Sequence, residues 1–497
     1  MRTTMTSKLY SILLLLIFTL TAQAQEYHVE TPGTLQDVIG PGAEELTHIR
    51  VTGTLNDRDI AFLHYLCWPG VPKPTGMKVE KFLKIMQEKE DDFKTNLRHL
   101  DLEDARMVND ALPDKAFYFS YIKDYKLPKT LKKIGKGAFS YNVLLKELII
   151  PESVEEIGKN LLFYSIEIRK VKLPEKLKVL NELLFGNCIK LEEVNIPSEV
   201  REIYSGVFYG CLKAPASIAV LPETVEILDG DIYYGVPSIE CVTVPSKVRI
   251  LNETYWAVPN LRKVVILTDK LDRIGEFAFY WCENLEEVNI PDGVTRIESS
   301  AFWGNFSLRK IKIPSSVTYI GPSAFESAPL DSIDIPAGVT FIGRNAFCRN
   351  EDLQKIYSRP TTPPQTGVPT GVSPYLPFHC SSTSTAILYV PKGSADAYRA
   401  SEVFSEFKNI VELEAWQWPT SISTPTMPTD AYKVYGKAGT LHIETTGGAQ
   451  GPVFVNVYSI NGQVVWKGQV TNRMEVPLSQ GFYVVQIGKR NYKVSLN

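Results

Sequence analysis

The chain has 497 residues, of which 44% are hydrophobic and 22% charged, an ordinary composition for folded protein and not for disorder. That length exceeds one compact core, so several units or an elongated array are expected. The formal charge of −3 names no partner, and no clustered basic face exists to hold nucleic acid.

At the N-terminus, Lys8, the apolar stretch Leu9–Leu20 and Ala22-Gln23-Ala24 form the charge, apolar run and small-x-small cleavage pattern of an export signal over 1–24. Its apolar core is too short to span a bilayer, so no transmembrane segment is expected in the mature chain. Arg2 and Lys8 would leave with the signal, giving 51 basic against 56 acidic residues and a net charge of −5. Residues 25–110 read as an N-terminal cap. Apolar spacing predicts helices over Asp57–Trp68 and Lys78–Lys94, and Leu97–Leu102 reads as the first strand of an array.

Repeats occupy 111–358. The phrase Ile134-Gly-x-x-Ala-Phe139 returns as Ile157…Leu162, Leu180…Phe185, Ile203…Phe208, Leu228…Tyr233, Leu251…Trp256, Ile274…Phe279, Ile297…Phe302, Ile320…Phe325 and Ile342…Phe347. An earlier copy is Leu112…Phe117. From Phe139 onward, successive anchors lie 23, 23, 23, 25, 23, 23, 23, 23 and 22 residues apart. Between them runs L-x-x-V-x-I-P, as in Leu285-x-x-Val288-x-Ile290-Pro291. The alternation makes a short strand and the proline ends it. No copy can bury its own apolar row, so neighbours stack, with strands in a parallel sheet ~4.8 Å apart.

These motifs resemble the BspA-like leucine-rich repeat family of bacterial surface proteins over about 97–412. The resemblance implies a repeat solenoid, display at the cell surface and adhesion to host or neighbouring-cell proteins. The pattern departs at Asp229-Gly-Asp-Ile-Tyr233 and Asn252-Glu-Thr-Tyr-Trp256, which lack the Ala-Phe pair, and at Cys211–Pro222, which carries two extra residues.

The Pro-rich stretch Arg359–Pro377 and the phrase from Ile387 to Ile410 read as a rim loop and closing cap over 359–412. A linker follows over 413–430, with three prolines between Trp418 and Thr429. From 431 to 497 the pattern becomes period-two alternation with Asn461-Gly462 as a hairpin turn, which predicts a small β-sandwich of about seven strands. The phrases V-Y-S-I-N-G-Q-V-V and L-S-Q-G-F-Y-V-V resemble the C-terminal sorting domain of type IX secretion cargo. That resemblance implies an export machinery as partner; a retained structural β-sandwich is the alternative.

No catalytic constellation is found. The six histidines have no metal-ligand spacing, and neither a G-x-S-x-G nor a phosphate-cradling loop is present. Glu192-Glu193 and Glu286-Glu287 repeat at one position, as rung surface does. The expectation is therefore no enzyme, no metal and no cofactor. Cys188, Cys211 and Cys282 fall three residues after an anchor, where other copies carry Asn142, Ser165, Asn305 or Asn350, so small packed side chains are expected. A bridge between Cys188 and Cys211 stays open.

The outward sheet row runs Ile149, Lys172, Asn195, Val220, Thr243, Val265, Asn289, Lys312, Asp334, Tyr357. Its middle, with Ile218 and Cys241 beside it, is apolar where solvated residues are expected. An apolar patch rimmed by charge is a contact surface unless the two-residue insertion turns those side chains inward. Ile218, Val220, Thr243, Val265, Tyr234 and Tyr255 are the candidate contacts for a protein or glycoprotein ligand. A periplasmic or secreted scaffold or inhibitor using the same face is the second reading.

Overall fold

The computed structural model describes residues 24–68, 96–366, 376–379, 381, 383–401 and 404–419, and in the tail 432–437, 439–445, 453–459, 464–470, 473–487 and 490–496. The expected signal before Ala24, the helix over Lys78–Lys94, most of the linker, the Asn461-Gly462 turn and Cys380 lie outside the described residues. The chain divides into two units, Met1–Pro174 and Glu175–Asn497. Both carry a parallel β-solenoid.

In the first unit the ladder begins earlier than Leu97. Gln25–Val29, His48–Leu55, His99–Asp101 and Asp124–Lys126 are consecutive parallel strands of one sheet, and Ala105–Met107 pairs with the far end of His48–Leu55. Besides the expected helix at Asp57–Cys67, the N-terminal region thus carries ladder strands, and His48–Leu55 alternates buried and half-exposed residues as a ladder strand does. The helix Asp57–Cys67 packs beside it, capped by Asn56. Its Asp59 is buried and accepts N–H bonds from Gly33 (2.6 Å), Leu35 (2.9 Å) and Asn56 (3.0 Å), tying the first turn of the coil to the helix.

The solenoid has two ladders where one was expected. The L-x-x-V-x-I-P strands form the first: Glu147–Ile149 with Lys170–Lys172 in one unit, and Cys241–Val244 with Lys263–Ile266 and Glu287–Val288 in the other. The second is made where the Ile-Gly phrase begins, as two- and three-residue strands. It runs Ala111–Leu112, Lys133–Ile134, Glu156–Ile157 in the first unit. In the second unit it runs Val179–Leu180, Glu202–Ile203, Ile227–Asp229, Ile250–Asn252, then Arg273–Ile274 through Phe341–Ile342.

The anchors stack as an aromatic column between the ladders. In the second unit the rings of Phe185, Phe208, Tyr233, Tyr255, Phe279, Phe302, Phe325 and Phe347 follow one another 5.2 to 6.0 Å apart and nearly coplanar in orientation. All are buried, and each contributes on the order of 1.5–3 kcal/mol by leaving water. Two residues past each anchor the backbone turns left-handed, with φ between 49° and 73° from Phe119 to Arg349. That bend lets the anchor N–H reach the next turn's carbonyl, as Phe279 does to Ala301 (2.9 Å). The position is costly for a side chain, roughly 1–2 kcal/mol each, and glycine takes it at Gly210, Gly235 and Gly304.

The column corrects one anchor. Tyr255, not Trp256, occupies it, and the left-handed residue is Ala257 accordingly. Strand and anchor are one residue closer here than in the other copies, so Trp256 is pushed to the surface.

The tail forms two antiparallel sheets. Tyr432–Lys437, Thr440–Thr445 and Arg473–Pro477 make one; Val464–Val470, Val453–Ser459, Gly481–Ile487 and Arg490–Leu496 make the other. One core, including Leu441, Val457, Val476 and Val485, joins them.

Candidate functional site

The candidate contacts separate into three environments. Thr243 and Val265 are direct neighbours in parallel register, half-exposed on the outer sheet face. Cys241, exposed, pairs with Lys263 in the same register. Val220 is also half-buried, at the end of the preceding turn of the coil.

Ile218 and Tyr255 are not surface residues. Ile218 is 0% exposed and Tyr255 1%. The two extra residues after Cys211 convert the expected strand into a 3-10 turn over Ala216–Ala219, and that turn points Ile218 inward. Tyr233 completes the exchange: its hydroxyl donates to the Ile218 carbonyl at 3.2 Å, an acceptor left without a ladder partner by the turn. Burial raises the Tyr233 phenol well above its ordinary value, so it stays a donor at any physiological pH.

Tyr234 lies in the third environment, the turn edge beyond the anchor. It stacks on Tyr209 at 4.5 Å with the rings 6° apart, away from the sheet strands that carry Thr243 and Val265.

Charge rims the sheet-face set. Arg262 donates to Glu286 at 2.5 Å, and Lys263 pairs with Glu287. Asn289 brackets the strand end, accepting from Ile266 N at 2.7 Å and donating to its carbonyl at 2.9 Å. Leu267, 53% exposed, follows directly. Glu286 and Glu287 therefore spend their charge on cations of the preceding turn, as rung surface does, and form no acid/base couple.

The small side chains after the anchors have a structural use. Cys211 Sγ donates to the Phe185 carbonyl (3.0 Å) and Cys282 Sγ to that of Tyr255 (2.8 Å). Ser165 Oγ and Asn350 Nδ2 do the same to Phe139 (2.9 Å) and Phe325 (2.8 Å). Each polar tip satisfies the anchor carbonyl of the previous turn. Burial pushes the Cys211 and Cys282 thiols up to about 12, and Cys188 and Cys211 are both unbridged. Among the described residues no group of three His, Cys, Asp or Glu side chains is arranged to hold a metal ion.

Parallel two-ladder coiling around an aromatic column, with a 22- to 25-residue period, defines a leucine-rich repeat solenoid. Within it, residues 110–240 and 249–362 match the model of the BspA type leucine-rich repeat region, in six copies. No curated protein matches the chain. Among solved structures, a leucine-rich repeat protein from Bacteroides ovatus is similar at 23% identity and a TM-score of 0.50, over 64% of this chain and 78% of that one. One from Eubacterium ventriosum matches at 17% identity (TM-score 0.37; 65% of this chain, 91% of the other). A leucine rich cell surface protein from Faecalibacterium prausnitzii matches at 20% (TM-score 0.31; 61% and 83%). The Bacteroides likeness shows the fold. No helix among the described residues is long and apolar enough to cross a membrane.

Proposed function

We propose that this is an exported bacterial surface protein that binds a protein or glycoprotein through the sheet face of the second unit's middle turns. The observation that carries the reading is the Thr243–Val265 pair, with Val220 and exposed Leu267, uncharged beside the Lys263–Glu287 and Arg262–Glu286 pairs at the strand starts. Uncharged, half-exposed side chains on a rigid sheet with a charged rim are the make-up of a recognition surface. The repeats supply rigidity and area, which is what leucine-rich solenoids contribute. Export by the segment before Gln25, and passage through an outer-membrane machinery by residues 431–497, belong to the same proposal.

The test is Val220→Glu combined with Val265→Glu. Both side chains are half-buried, so thermal unfolding changes little, while binding to a panel of immobilised extracellular glycoproteins falls at least about tenfold. Binding that persists in the correctly folded variant contradicts the assignment of this face.

A further inference from the structure

A second surface lies on the turn edge of the second unit, one residue past the anchors. Five consecutive turns place an aromatic there: Tyr209, Tyr234, Trp256, Tyr280 and Trp303. Their centroids follow at 4.5, 6.2, 5.4 and 4.8 Å, so the rings touch as one ribbon. Trp281 and Phe306 widen it, 37% and 48% exposed, with centroids 6.0 Å apart. Anchors facing the core explain why their neighbours face out. Nothing in the repeat requires those neighbours to be aromatic: the same position is Ser140, Gly186 and Glu326 in other turns.

Acids predominate along the ribbon from Tyr234 onward. The turn segments 229–236, 252–259, 275–284, 298–307 and 321–328 contain no Lys or Arg, yet hold Asp229, Asp231, Glu253, Glu276, Glu283 and Glu326, besides Glu298, which Arg296 already holds. Partial burial, and after it the charges of Asp231, Asp229 and Glu276, raise the Glu253 carboxyl above its ordinary value. Glu326 bears on the Tyr280 hydroxyl, Asp231 on that of Tyr209, and Glu283 accepts from Trp281 Nε1 at 2.5 Å.

Elsewhere the same molecule combines an aromatic ring and a carboxylate with an arginine between them. Arg296 lies 3.7 Å over Tyr319 and donates to Glu298 at 2.7 Å. Arg359 lies 5.0 Å over Trp418 and holds Asp334 through two bonds of 2.6 Å. A planar guanidinium suits both partners at once, stacking on the ring while its N–H fork meets the carboxylate. The turns of Tyr234, Trp256 and Tyr280 repeat the ring and the acid, with no arginine in their segments.

We propose that this ribbon binds an extended, arginine-rich peptide segment of a partner protein, its guanidinium groups placed between the turn-edge aromatics and the flanking carboxylates. A neutral glycan fits less well. The excess of carboxylates calls for positive charge, which a neutral glycan lacks. The site differs from the sheet face proposed above and does not depend on it.

Titration of the full chain with a decapeptide of alternating Arg and Ala, followed by tryptophan fluorescence, tests the proposal. Saturable binding is expected below ~1 mM, weakening with salt and stronger than for the Lys-Ala peptide, with no binding of the Glu-Ala peptide. Trp256→Ala with Tyr280→Ala weakens it about tenfold or more. Glu253→Gln with Glu276→Gln, which removes charge without removing packing, weakens it severalfold and flattens the salt dependence. Val220→Glu with Val265→Glu leaves it unchanged, which separates this surface from the sheet face. No saturable binding of the Arg-Ala peptide, equal affinity in both ribbon variants, or displacement of the peptide by a neutral hexaose overturns the proposal.

Discussion

Tyr233→Phe removes one oxygen from a fully buried position and isolates the role of the 3-10 turn at Ala216–Ala219. The ring stays in the column, 6.0 Å from Phe208 and 5.7 Å from Tyr255, so no cavity opens. What is lost is the 3.2 Å bond to the Ile218 carbonyl, which then has no partner in a water-free site. A buried acceptor left in that state costs roughly 1–2 kcal/mol. The cost falls on the turn, whose own bonds are Ile218 N to Pro215 O (3.2 Å) and Val220 N to Ser217 O (3.0 Å). Native-state hydrogen exchange reads it directly: protection of the Ile218 and Val220 amides is expected to drop about five- to thirty-fold. Tyr255→Phe, one turn along the column, is the control and leaves both amides as they were. Unchanged protection in Tyr233→Phe, or an equal drop in the control, would refute the argument that this hydroxyl holds the turn.

Asp59→Ala strips an acceptor from three backbone N–H groups at once and is expected to cost the first unit roughly 3 kcal/mol, seen as early loss of its part of a urea unfolding curve. Thiol titration of the native chain near pH 8 should modify exposed Cys241, slowly because partial burial raises its pKa, and spare Cys67, Cys211 and Cys282, whose thiols stand at about 12, until denaturant is added. His48 and His99 stack at 4.0 Å, and burial followed by the His48 charge lowers the His99 pKa; burial also lowers that of His64. A depressed histidine pKa means the unfolded chain binds protons first. The first unit is therefore at full strength above the ordinary value of 6.5 and loses stability as pH falls through it, and melting temperatures at pH 7.5 and pH 5 should differ less in His99→Gln with His64→Gln.

The period of the solenoid was legible because every turn must place one large apolar side chain in the same column, and a column tolerates no drift. The second ladder was not: its strands are two or three residues long and vanish inside the Ile-Gly phrase. At Tyr255-Trp256 two adjacent aromatics compete for one slot, and a fixed five-residue template selects the wrong one; the left-handed Ala257 settles it. Ile218 was placed outward by extending strand alternation through an insertion. Pro215 before Ala-Ser-Ile-Ala was the available signal for a tight turn. Cys188, Cys211 and Cys282 were legible as small buried groups. The carbonyls that Cys211 and Cys282 satisfy belong to the preceding turn, 26 and 27 residues away, beyond any local pattern. The turn-edge ribbon was visible only in pieces, since Tyr209, Tyr280 and Trp303 gain meaning once their rings are known to touch.

Surface recognition is the central claim, and intact producing cells test it most directly. Epitopes are placed in an exposed rim of the repeats and after Asn497, and protease is added outside. The account predicts that the repeat epitope is lost to protease and that the terminal epitope is already missing from the mature protein. Protection of both epitopes would place the chain inside the envelope with its tail retained, and would contradict the surface reading.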